Sequence, residues 1–69
     1  MSISPLIVGR ATLTPYIRRW PEHGWRAEIL IDDQALGDIV ISDFFETREE
    51  ANRAALREML TAAERYAEA

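Results

Sequence analysis

The chain has 69 residues, no cysteine, a single histidine and a net charge of −4. That length allows one small domain, which buries only about 60% of the surface its unfolded form exposes. The absent cysteines exclude disulfides and thiolate metal sites, and one histidine argues against structural zinc.

With 48% hydrophobic and 29% charged residues the composition is that of a folded domain, not a disordered chain. A core this small needs either an idealised packing or oligomerisation to supplement it. Residues 1–31 hold four arginines against Glu22 and Glu28, a balance of +2, whereas residues 32–69 hold ten carboxylates against four arginines, a balance of −6. As a whole the molecule is repelled by a phosphate backbone. All eight basic residues are arginine, which reflects genome composition before function, although arginine suits interfaces better than lysine.

The opening MSISPLIVGR lacks the charged start and long apolar run of a signal peptide. Its apolar run Leu6-Ile7-Val8 is too short to span a membrane. The expectation is a cytoplasmic protein with no membrane contact. Leu6-Ile7-Val8 reads either as a short extra strand or as the start of the first one. A first strand is predicted over about residues 10–20, alternating in part, with Pro15 arguing for an edge position. A second strand, over 25–32, contains Trp25-Arg-Ala-Glu-Ile-Leu-Ile31 and is rich in β-branched and aromatic residues.

Between them lies RRWPEHGWRAE, residues 18–28. Glu22-His23-Gly24 fits a three-residue hairpin loop with the glycine in the left-handed region. Pro21 then faces Trp25, Arg19 faces Ala27, Ile17 faces Ile29 and Pro15 faces Ile31. One sheet face carries Ala11, Leu13, Ile17, Trp25, Ala27, Ile29 and Ile31. The other carries Thr12, Thr14, Tyr16, Arg18, Trp20, Arg26, Glu28 and Leu30, with Arg18 opposite Glu28 and Trp20 beside Arg26. A four-residue loop would put both tryptophans on one face and mix apolar with charged positions.

Asp33-Gln-Ala-Leu-Gly37 is a second hairpin signal whose register stays open, and it leads to a third strand over about 37–44. Phe44 and Phe45 follow, and at least one of them should plug the core. From about 48 to 68 the chain has no Gly or Pro and forms a helix. Its apolar stripe is expected to be Ala51, Ala55, Leu56, Met59, Leu60, Ala63, Tyr66 and Ala67, with Asn52 an unexplained polar intruder. Thr47 and Glu50 make a capping box at its start, and Glu49 and Glu50 suit the positive end of its dipole. The expected fold is α+β: one domain, a three-stranded antiparallel meander with a C-terminal helix on one face (βββα).

His23 has no Cys or Ser nucleophile and no second histidine nearby, and it sits at an exposed turn; a structural role outweighs a catalytic one. Asp32, Asp33, Asp38 and Asp43 match no calcium loop, and no phosphate-cradling glycine loop is present. No enzyme activity, metal or cofactor is expected. A single helix covers one face only, so Tyr16, Arg18, Trp20, Arg26 and Leu30 form a candidate interface, with Trp, Tyr and Arg the types enriched at hot spots. The expected partner is a second copy or another protein. Two other readings stand beside it. The same arginines and aromatics could grip single-stranded nucleic acid, or Asp43, Glu46, Glu50, Glu58, Glu64 and Glu68 could present an acidic face to a basic partner.

The segment Phe45-Glu-Thr-Arg-Glu-Glu-Ala-Asn-Arg-Ala-Ala, after three strands, resembles the strand-to-helix junction of HicB-type antitoxins and of several small bacterial βββα domains of unknown function. The strand order is similar to that of CedA-type cell-division activators. These resemblances imply a bacterial or phage source, and respectively an inhibitor-like or a DNA-binding role. The glycine–proline pattern of the antitoxins' third strand is absent, as is an appended DNA-binding domain.

Overall fold

A computed structural model of the chain describes residues 4–33 and 36–67. The elements are β1 (Leu6–Val8), β2 (Ala11–Trp20), β3 (Gly24–Asp33), β4 (Leu36–Ile41) and α1 (Arg48–Ala67). The strands form one antiparallel sheet in the order β1-β2-β3-β4, with α1 on one face. The class is α+β as expected, but the sheet has four strands and not three. Leu6-Ile7-Val8 is a strand of its own, paired with Ala11–Leu13.

That pairing also corrects the reading of Pro15. β2 is an inner strand over Ala11–Leu13 and becomes an edge only beyond it. The bonds to β3 are made by the even residues of β2, so Pro15 turns its missing N–H toward the β1 side, where β1 has already ended.

The β2–β3 hairpin differs from expectation by two residues. Trp20 faces Gly24, Arg19 faces Trp25, Ile17 faces Ala27 and Pro15 faces Ile29. The loop is therefore Pro21-Glu22-His23. The amide of His23 donates to the Trp20 carbonyl at 3.1 Å, and Glu22 has φ 70°. With Pro21 ahead of it, this is the signature of a type II turn. A slip of two preserves the alternation of side chains, so both expected faces survive it. Only the cross-strand neighbours change: Tyr16, not Arg18, lies opposite Glu28.

β4 pairs with β3 from Asp33↔Leu36 to Glu28↔Ile41, ending before the expected residue 44. One extra residue then enters. Ser42 takes Ala27 from both sides, its N–H donating to the Ala27 carbonyl and its Oγ accepting from the Ala27 N–H, each at 2.9 Å. Pairing resumes at Trp25↔Phe45, through two backbone bonds of 2.7 Å. The bulge re-aims the two phenylalanines. Phe45 lands on the helix side and packs on the core, whereas Phe44 goes to the opposite face.

The helix begins where the capping residues place it. The Glu50 N–H donates to Thr47 Oγ1 at 3.2 Å, and that hydroxyl donates to Glu50 Oε1 at 3.0 Å. Its buried residues are Ala51, Ala54, Ala55, Met59 and Ala62, with Ala63 and Tyr66 partly buried. The expected stripe was thus turned too far: Leu56 and Leu60 are exposed, the latter at 65%. The reason is volume. The sheet already supplies Leu13, Ile29 and Ile31 as fully buried large side chains, and alanines let the helix approach them closely while leucines would hold it away. This rotation also places Asn52 at the half-buried border of the stripe.

Candidate interaction face

The face of the sheet turned away from α1 follows from strand alternation. It carries Ile7 from β1, Thr12, Thr14, Tyr16, Arg18 and Trp20 from β2, and Arg26, Glu28, Leu30 and Asp32 from β3. β4 adds Ile39, opposite Leu30, and Ile41, opposite Glu28. All five expected interface residues lie here together.

At the hairpin end, Phe44 joins this face through the bulge. The Arg26 guanidinium lies 4.7 Å from the Trp20 ring centre and 4.9 Å from that of Phe44. The two rings meet edge to face at 6.4 Å, and His23 stacks on Phe44 at 5.1 Å. Arg18 lies 5.6 Å over the Tyr16 ring. Such arrangements attract a cation to a ring's electron-rich face and orient the side chains.

Glu28 is 9% exposed and ties this cluster down. Its Oε1 accepts from Arg18 Nε at 3.1 Å and its Oε2 from Arg26 Nη2 at 3.4 Å. The carboxylate thus answers both arginines. Arg26 Nε is buried without a hydrogen-bond partner among the described residues, its cation facing rings instead.

Ten large hydrophobic side chains are exposed among the described residues, and seven of them sit on this one face: Ile7, Tyr16, Trp20, Leu30, Ile39, Ile41 and Phe44. Sequence reasoning placed Tyr16, Trp20 and Leu30 but named none of the other four. Ile39 and Ile41 needed the register of the second hairpin, and Phe44 needed the bulge. The alternation of Ile39, Val40 and Ile41 was the available signal.

The acidic residues are distributed differently. Asp43, Glu46, Glu50 and Glu64 are exposed and Glu58 is half-buried, while Glu68 lies outside the described residues. At helical spacing, Arg53, Arg57 and Arg65 interleave with the helix glutamates, so the acidic face is not of one sign.

A cavity of about 500 Å³ lies at the other end of the molecule, lined by Gly9, Arg10, Ala11, Asp33 and Tyr66. Among the described residues no three His, Cys, Asp or Glu side chains gather as a metal site, and no helix is long and apolar enough to cross a membrane. The architecture defines a meander sheet with one open face. The chain matches no protein-family model, no curated protein and no solved structure.

Proposed function

We propose that this protein is a small non-enzymatic, cytoplasmic interaction module that self-associates through the helix-free face of its sheet. The observation that carries this reading is the gathering of seven exposed large hydrophobics on that face. An exposed apolar surface of this kind is usual at interfaces and unusual on a solitary soluble domain. Its aromatic–arginine cluster has the composition of a hot spot. A chain this short, without cysteines, also gains from burying a second apolar layer.

Nucleic-acid binding through the same face ranks below this. Glu28 offsets one of the two charges of Arg18 and Arg26, and the chain as a whole carries −4. The reading as an acidic inhibitor ranks lower still, because arginines dilute the helix surface.

Light scattering over a concentration series tests the proposal. The expected mass is that of two chains. Ile41→Glu and Trp20→Glu, both at exposed sites, should each give monomers with an unchanged circular dichroism spectrum. A wild-type chain that stays monomeric to its solubility limit overturns self-association. Oligonucleotide binding at low salt, lost steeply as salt rises, would favour the nucleic-acid reading instead.

A further inference from the structure

We infer that the second copy docks face to face in the reversed direction, with the hairpin tip of each copy over the opposite end of its partner's sheet. This rests on the self-association proposed above and specifies its geometry.

The face is electrically polar along its length. Arg18 and Arg26 stand opposite each other near the hairpin tip, with Glu28 one step further along. Asp32 stands six residues beyond Arg26 on the same strand, exposed, beside Thr12 and Gly37. Counting the strand residues of this face, the tip end has one positive charge in excess and the far end one negative, and the two cancel; Glu22 and Arg10 lie in the turns beyond either end. Most of the protein's remaining carboxylates belong to the loops and α1, so the net charge of −4 does not concentrate on it.

Two sheets packed face to face with a two-fold axis between them have two choices. An axis along the strands puts tip on tip and sets Arg18 and Arg26 against the second copy's Arg26 and Arg18. An axis across the strands, level with Ile29, puts Arg18 and Arg26 over Asp32 of the second copy, twice over. It also lays each β4 on its counterpart, bringing Ile39 onto the second copy's Ile41. Charge complementarity selects the second choice, as it does when it sets the register of other interfaces.

Area and edge chemistry agree. The strands are 3, 10, 10 and 6 residues long, which at about 4.8 Å spacing and about 3.3 Å per residue gives a footprint on the order of 450 Å² per copy. Two such faces approach the roughly 1,000 Å² that separates specific interfaces from casual contacts. Association by the free β4 edge is blunted. Ile39 forms a non-hydrogen-bonded pair with Leu30, so its amide points outward, and there it donates to the Asp38 carboxylate at 2.8 Å.

The chain has no cysteine, so a spin label on Glu22→Cys reports one position at the hairpin tip. Pulsed electron resonance on the dimer should give a label separation of about 45 Å, from seven residues of strand on either side of the axis at about 3.3 Å each. A separation under about 20 Å means tip on tip and overturns the inference while leaving self-association standing. A monomer by light scattering removes both. Independently, Arg18→Asp and Asp32→Arg should each raise the dimer dissociation constant about tenfold, and the double variant should restore it. If the double variant associates no better than either single one, Arg18 and Asp32 do not meet and the reversed arrangement is wrong.

Discussion

Gly24 links the hairpin to the bulge that builds the interaction face, and replacing it with alanine should be costly. Its φ is +107°, a region where a side chain meets its own backbone. A Cβ there would stand 2.3 Å from the Phe45 carbonyl oxygen and 3.3 Å from its carbon. The φ strain alone is worth about 1–2 kcal/mol. The clash is with backbone, so the strands must part, loosening the two 2.7 Å bonds between Trp25 and Phe45, at about 1 kcal/mol each. Gly24→Ala should therefore cost about 3–4 kcal/mol, a large share of the stability of so small a domain. Urea unfolding followed by tryptophan fluorescence would show it as a fall in midpoint of roughly 2–3 M at unchanged slope. Gly37→Ala is the control: its new Cβ meets nothing nearer than the Ile31 oxygen at 3.9 Å. A loss below about 1 kcal/mol for Gly24→Ala, or one equal to that of Gly37→Ala, would refute the close approach of the two backbones. Because the approach also aims Phe44, the variant should dimerise more weakly even where it is fully folded.

Glu22 holds the left-handed position of the type II turn without being glycine. Glu22→Gly should raise stability by about 0.5–1 kcal/mol in the same urea assay, the relief of strain exceeding the entropy glycine loses. Thr47→Ala removes the cap from the Glu50 amide and should cost about 1 kcal/mol, with fraying of the first helical turn visible by amide hydrogen exchange. The helix stripe can be tested by contrast. Leu60→Gln, at an exposed site, should shift the thermal midpoint little, within about 0.5 kcal/mol. Ala55→Leu, at a site with no exposure, should lose about 1–3 kcal/mol through overpacking. A loss for Leu60→Gln as large as that for Ala55→Leu would restore the stripe inferred from periodicity.

Local chemistry determined much of this protein. The helix span came from an uninterrupted run of helix formers behind a Thr–Glu cap, and the two faces of the β2–β3 hairpin came from alternation with period two. Composition made disulfides and thiolate sites impossible, and the surplus of apolar residues on both sheet faces marked Tyr16, Trp20 and Leu30 as an uncovered surface. What alternation cannot set is anything that depends on an even slip, a single inserted residue or the volume of a distant neighbour. The hairpin register moved by two because Pro21 and Glu22 make the turn, which leaves each face unchanged. The bulge after Ile41 sends Phe45 to the core and Phe44 to the open face, a choice made by the Trp25 backbone across the sheet. The helix shows its alanines rather than Leu56 and Leu60 to the sheet because Leu13, Ile29 and Ile31 already fill that space. Pattern along the chain thus assigned residues to faces, and only packing between elements decided which of them touch.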